Sequence, residues 1–246
     1  MKVNEIFYSI DGEGRRTGEL TTFIRLYGCP LKCSYCDTRY SCEKTDENIP
    51  YTEMAIEDII NEVGKYPTKN ITVTGGEPLI HKDIKYLLRA LSELDYDVNV
   101  ETSGAIDISE YFELGEDNIN HQLNKYKNVW FTVDYKCPTS GMDSKMFMDN
   151  FKQKFFGTVY KFVVGSKGDL ATAFTVINNN LINRSYIPVD LKEINNLIYL
   201  SPVFGQIEPK EIVEYMQEKK MVNSSVPIRV QLQLHKFIWK PDKRGV

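Results

Sequence analysis

Two hydrophobic periods alternate along the chain. Residues 20–27 are β-rich and run straight into a cluster of cysteines. Ile56, Ile59, Ile60 and Val63 recur at helical spacing, and so do Ile84, Leu87, Leu88, Leu91 and Leu94. Residues 71–74, 98–101, 129–133 and 159–164 read as short strands, and 118–128 as a polar, helix-poor region. Helices are predicted over 146–155, 170–182 and 208–220, and strands over 197–200 and 228–234. The segments 11–14 and 43–50 read as loops.

Strand–helix alternation favours a parallel sheet with helices outside it. Only six or seven strands are legible in the sequence, and a closed eight-stranded barrel typically takes about 250 residues. The expected fold is α/β, an incomplete TIM-type barrel, formed by one domain over residues 1–246. Chemistry in such sheets gathers at the carboxyl ends of the strands. The cysteine loop, Gly75-Gly76-Glu77, Thr102-Ser103 and Asp134-Tyr135-Lys136 each follow a predicted strand. All four are expected on one rim.

Composition narrows the class. With 42% hydrophobic and 26% charged residues, the 246-residue chain is ordinary globular protein. A net charge of −4 argues against a general nucleic-acid binder. No apolar run reaches the roughly 18 residues of a membrane span. The opening MKVNEIFYSIDGEG lacks the apolar core of a signal peptide, so a cytoplasmic location is expected. Five cysteines, an odd number with three close together, suit metal binding better than a disulfide framework.

Cys29, Cys33 and Cys36 are separated by three and then two residues. Three thiolates on one compact loop can hold three corners of a [4Fe–4S] cubane. Without a fourth ligand, one iron stays open to chelate a small molecule. The alternative is structural zinc, which closes its shell with four ligands; Cys42 or a histidine would then supply the fourth. Cys42 and Cys137 otherwise read as isolated, small buried residues.

This loop, with Thr74-Gly75-Gly76-Glu77-Pro78 downstream, resembles the radical S-adenosylmethionine (SAM) superfamily. Further segments narrow the resemblance: Tyr8-Ser-Ile-Asp-Gly-Glu-Gly14, Phe23-Ile-Arg25-Leu-Tyr-Gly-Cys29, Cys36-Asp37-Thr38, Glu101-Thr-Ser-Gly104, Asp134-Tyr-Lys136-Cys-Pro138 and Gln231-Leu-Gln-Leu-His235-Lys236. Together they look like the 7-carboxy-7-deazaguanine synthases. The resemblance implies the partial barrel of the radical SAM superfamily, holding a [4Fe–4S] cluster, SAM and Mg²⁺. It implies ring contraction of 6-carboxy-5,6,7,8-tetrahydropterin to 7-carboxy-7-deazaguanine with loss of ammonia, in queuosine and deazapurine biosynthesis. A homodimer served by an electron donor such as flavodoxin or ferredoxin follows from the same likeness.

Residue roles carry over motif by motif. Ile10, Asp11, Gly12 and Glu13 form the substrate loop, where members often carry Gln in place of Asp11. Arg25 clamps a substrate carboxylate, and Thr74, His235 and the terminal Val246 also meet substrate. The implied cofactor contacts are Tyr35, Asp37, Gly75, Gly76, Glu77, Glu101 and Ser103. Asp134-Tyr135-Lys136 and Ser201-Pro202-Val203-Phe204 complete them. Cys29, Cys33 and Cys36 hold the cluster and Thr38 the Mg²⁺, with Asp37 its rival because carboxylates commonly ligate magnesium. Read alone, these residues are more ordinary: a turn at Gly75-Gly76, a surface salt bridge at Arg25, a β-turn at Asp11-Gly12, a turn residue at Thr38, a structural His235. Tyr35 could pack on adenine or shield the cluster. A glycyl-radical activating enzyme, or a non-enzymatic iron–sulfur or zinc protein, would share the cysteine loop.

Overall fold

Residues 1–42, 51–114, 122–152, 155–182, 196–222 and 226–246 are described by the structure, a computed structural model; the 43–50 stretch read as a loop lies outside them. The chain opens with an antiparallel hairpin of β1 (Lys2–Ile10) and β2 (Leu20–Leu26), with Ile10 opposite Leu20. A two-residue edge strand, β3 (Thr52–Glu53), pairs with β1. There follow α1 (Ile56–Val63), β4 (Asn70–Gly75), α2 (Ile84–Glu93) and β5 (Asp97–Thr102). A separate small hairpin joins β6 (Phe112–Leu114) to β7 (Gln122–Asn124). Then come β8 (Val129–Lys136), the short α3 (Asp149–Lys152), β9 (Val159–Val164) and α4 (Lys167–Val176). The chain closes with β10 (Leu197–Pro202), α5 (Pro209–Glu218), β11 (Ile228–Val230) and the single turn α6 (His235–Ile238).

The main sheet has the order β11-β10-β9-β8-β5-β4-β2-β1-β3, and every neighbour pair from β2 to β11 is parallel. The expected open barrel is what the chain forms. Strand register divides it into two faces. Ile24, Val73, Val100, Phe131, Phe162 and Leu200 are fully buried on the outer face, in one apolar cluster with Ile59, Leu87 and Leu91 of the helices. Fully burying each such side chain contributes roughly 1.5–3 kcal/mol. The inner face carries Arg25, Thr74, Glu101, Asp134 and Lys161, which border one cavity. The hydrophobic core therefore lies outside the barrel and the lumen is polar.

Several elements differ from expectation. β1 and β3 were not legible, because β1 is a largely half-buried strand with Lys2, Asn4 and Glu5 among its residues. Of the helix expected over 146–155, Asp149–Lys152 is helical, residues 146–148 are not, and residues 153–154 lie outside the described residues. The helix expected to 182 changes to a π-type turn at Ile177–Ile182. The last strand stops at Val230 rather than 234.

Candidate active site

The lumen opens into a cavity of about 260 Å³, bordered by the lumen faces of β2, β4, β5, β8, β9 and β10. It is near the lower end of the roughly 300–1,000 Å³ of small-molecule pockets. Cys29, Cys33 and Cys36 all line it, on the loop that leaves β2. Cys42, read from sequence as isolated, borders the same cavity within hydrogen-bond reach of two of them. A hydrogen bond from Cys42 pulls the Cys29 thiol down, and one to Cys42 pushes Cys36 up. Cys137 is fully buried.

The cysteine loop is fixed by the strand beside it. Gly76 N donates to Leu26 O at 3.0 Å and Glu77 N to Gly28 O at 2.7 Å. A Cβ on Gly76 would lie 2.3 Å from Gly28 O and 2.9 Å from Cys29 Cβ. Gly75 has φ +154, and its Cβ would lie 2.1 Å from Leu26 O. Both glycines border the cavity, but backbone packing alone already demands them.

Glu77 departs from the expected cofactor contact. It is fully buried and absent from the cavity wall. Its carboxylate accepts from Leu79 N at 3.0 Å, Thr102 Oγ1 at 2.9 Å, Ser103 N at 2.7 Å and Ser103 Oγ. Burial pushes its pKa up against the lowering effect of those bonds. Glu77 thus anchors Ser103, which does face the cavity. Tyr135 departs for a geometric reason. Successive strand residues point to opposite faces, so Asp134 and Lys136 enter the lumen while Tyr135 packs outside on Phe151 and Phe162.

The substrate loop expected at 10–13 arrives from the opposite end of the barrel. β2 runs parallel to β4, so Ile10 and Leu20 lie at the amino-terminal end, away from the cysteines. The loop turns inward from there. Arg16 plugs the floor, donating to Ile71 O at 2.8 Å, Asp97 O at 2.7 Å and Thr72 Oγ1 at 3.0 Å, and lying over the Trp130 ring at 4.7 Å. Asp11, 2% exposed, accepts from Arg16 Nε at 3.3 Å and Thr72 Oγ1 at 3.1 Å. Burial, with the Glu101 carboxylate adding to it, pushes Asp11 up to about 7 despite Arg16. Burial raises Glu101 too, while Thr74 Oγ1 donates to it at 2.9 Å.

The carboxyl-terminal segment closes the lumen. Leu234 N donates to Gly12 O at 3.0 Å, and a Cβ on Gly12 would lie 2.1 Å from His235 Nδ1. Burial lowers His235 below its ordinary pKa. Lys236 Nζ donates to Asp37 Oδ2 at 2.7 Å and Thr38 Oγ1 to Asp37 Oδ1 at 3.0 Å. Asp37 is half exposed, and the Lys236 ammonium together with the Thr38 hydroxyl holds its carboxyl at about 2. Val246 borders the cavity, and Arg244 stacks on Tyr40 at 3.9 Å. Arg25 borders it as well, its Nε 2.8 Å from Glu5 Oε1, which also accepts from Tyr40. So the ordinary ion-pair reading and the lumen position hold for Arg25 together. Ser201 and Pro202 end β10, Val203 and Phe204 follow it, and all four line the rim.

Some cavity residues escaped the sequence reading, Lys161 above all. Lys161 on β9 is 8% exposed, with Nζ 2.7 Å from Glu13 Oε2 and 3.2 Å from Asp134 Oδ1. Its signal was a single charge inside the apolar run Val159–Val164. Gln233 also borders the cavity, within the segment 231–236 quoted above but without a role assigned there.

The donor set suits an iron–sulfur cluster and a nucleotide. Thiolates are the ligands such clusters take, and Cys29, Cys33 and Cys36 present three of them to one cavity. The Tyr35 hydroxyl, on the same loop, is buried without a hydrogen-bond partner although Tyr35 borders the cavity. Such an orphaned group is what a bound ligand would satisfy. No helix among the described residues is long and apolar enough to cross a membrane.

Comparison with known proteins decides between the readings the cysteine loop left open. Residues 23–164, more than half of the chain, match the Radical SAM superfamily. The 7-carboxy-7-deazaguanine synthase of Clostridium acetobutylicum is 39% identical, covering 100% of this chain and 99% of its own. That of Chlorobaculum tepidum is 34% identical, covering 100% and 97%. The crystal structure of QueE from Escherichia coli shares the fold, with a TM-score of 0.64 at 22% identity, over 95% of this chain and 94% of that one. A cluster loop set on a polar half-barrel and relatives matched end to end agree: the chain belongs to the 7-carboxy-7-deazaguanine synthase family of the radical SAM superfamily, whose members use a [4Fe–4S] cluster and SAM.

Proposed function

We propose that this protein contracts the ring of 6-carboxy-5,6,7,8-tetrahydropterin to give 7-carboxy-7-deazaguanine and ammonia, in the cytoplasm, for queuosine and deazapurine biosynthesis. The observation that carries the reading is one cavity shared by the cysteine loop and by Asp11, Glu13, Arg25, His235 and Val246. Cys29, Cys33 and Cys36 hold the cluster. When bound, cluster and SAM together supply a one-electron cleavage that yields a carbon radical able to take a hydrogen atom from substrate.

The chain's own residues bind, orient and exclude water. Arg25 engages Glu5 through Nε alone among its described contacts, so its terminal nitrogens serve to clamp the substrate carboxylate. Asp11, Glu13 and the backbone at Ile10 and Gly12 read the hydrogen-bonding edge of the planar heterocycle, with Thr74 and His235 beside them. Val246 stands beside them at the cavity wall. Glu101, Ser103, Asp134 and Lys136 receive the nucleotide's polar groups, Gly75 and Gly76 its amino-acid end, and Tyr35 and residues 201–204 its faces.

Thr38 would hold Mg²⁺ through its hydroxyl oxygen, which gives its proton to Asp37 Oδ1 and so turns its lone pairs outward. A homodimer and a flavodoxin or ferredoxin donor complete the reading. The test is anaerobic reconstitution followed by incubation with SAM, reductant and carboxytetrahydropterin. Deoxyadenosine, the deazaguanine acid and ammonia are expected. Absence of both deoxyadenosine and the deazaguanine acid, from protein with full iron and sulfide, overturns the proposal.

A further inference from the structure

Lys161 is the single charge in the strand Val-Tyr-Lys-Phe-Val-Val, and no motif of the sequence assigns it a role. Alternation turns Val159, Lys161 and Val163 into the lumen. Val159 packs in the floor cluster with Leu197 and Tyr199, while Val163 borders the cavity above. An apolar residue would fill the layer between them with no desolvation cost. A buried ammonium persists there only if paired.

Its partners come from two different parts of the site. Glu13, on the loop that rises through the floor, accepts from Lys161 Nζ at 2.7 Å, and its other oxygen lies 3.4 Å from Ser201 Oγ. Asp134, at the end of β8, accepts from Lys136 Nζ at 2.6 Å through Oδ2. Its Oδ1 is buried and forms an ion pair with Lys161 Nζ at 3.2 Å, with no further partner among the described residues. That oxygen keeps its capacity to accept from a hydroxyl or amino group of a ligand.

We propose that Lys161 is a positioning residue that ties the substrate loop to the cofactor-binding strand end, one ammonium orienting the carboxylates that meet both ligands. The inference rests on the assignment of Glu13 to substrate and Asp134 to SAM made above. It places a shared determinant of two binding events on a strand between them.

The test uses the reconstituted holoenzyme. SAM binding is measured by equilibrium titration without reductant, so that no turnover occurs, and KM for carboxytetrahydropterin is measured with reductant. Lys161→Met is expected to weaken SAM and raise KM, each by about tenfold or more, the scale of a lost charge-assisted bond. Lys161→Arg, which keeps the charge and both reaches, is expected to recover most of each loss. Should Lys161→Met not fold, Lys161→Gln takes its place with the same two readouts. A variant that melts earlier yet binds both ligands as the wild type does overturns the proposal, and so does a loss confined to one ligand. Wild-type protein with a full cluster and no pterin turnover would instead defeat the proposed function, separately from the Lys161 variants.

Discussion

Arg16 reaches across the barrel floor to within 3.3 Å of Asp11, with Nε against Oδ2. The same guanidinium holds the starts of β4 and β5 through Ile71 O and Asp97 O. One side chain therefore closes the end of the barrel and orients a carboxylate inside it. Asp11 sits between opposing influences. Burial and Glu101 raise its pKa, Arg16 and Thr72 lower it, and the balance stands at about 7.

A pH dependence follows. Below about pH 7 Asp11 is a neutral acid with one donor and acceptor capacity, the hydrogen-bonding character of an amide. Above it the group is an anion beside Glu101. Because the folded value is raised, the stabilisation tied to protonated Asp11 is full below the ordinary carboxylate range and is lost as pH rises through 7. The expected outcome is a wild-type kcat/KM that falls above pH 7, approaching about tenfold per unit. Asp11→Asn, neutral at every pH, should lack that limb. Arg16→Gln removes the charge that pulls Asp11 down and should move the limb to higher pH. An unchanged limb in Asp11→Asn assigns it to another group.

Gly76→Ala tests the seating of the cysteine loop. The added Cβ meets a backbone carbonyl, Gly28 O, at 2.3 Å and Cys29 Cβ at 2.9 Å, so the loop itself must move. Iron and acid-labile sulfide per chain after anaerobic reconstitution are expected to drop well below wild type. Full cluster content would show that the two strand ends can separate without cost to the thiols.

Glu77→Gln tests the buried anchor. The carboxylate accepts from Leu79 N, Thr102 Oγ1, Ser103 N and Ser103 Oγ. An amide offers one acceptor oxygen and turns an NH₂ toward donors. Leaving buried donors unsatisfied costs about 1–3 kcal/mol, which lowers Tm by roughly 2–4 °C per kcal/mol in a chain of this size. SAM affinity should fall with it, because Ser103 loses its tether. Wild-type Tm and SAM affinity in this variant would remove Glu77 from the scheme.

Much of the site was legible because its chemistry is local in sequence. Cys29, Cys33 and Cys36 lie on one short loop, and Gly75-Gly76 ends a strand whose apolar run is plain. Local pattern could not say which face a strand residue takes. Tyr135 shares a motif with Asp134 and Lys136 yet belongs to the outer core. Lys161 could have been placed by the same alternation, had β9 been read as a wall of the lumen. Glu77 reads like a ligand residue, but its environment is set by Ser103, distant in sequence and adjacent across parallel strands.

The sequence by itself determined the alternating strands and helices, the three-thiol loop and the family. Side-chain period and residue spacing are properties of the chain alone. Tertiary structure decided what the charges do. Burial in a polar lumen sets Asp11 near 7, pairs Lys161 with two carboxylates, and brings the loop after β1 up through the floor to the cavity the cysteines line. Desolvation and Coulomb interaction depend on distances between segments far apart in sequence, and only the folded barrel fixes those distances.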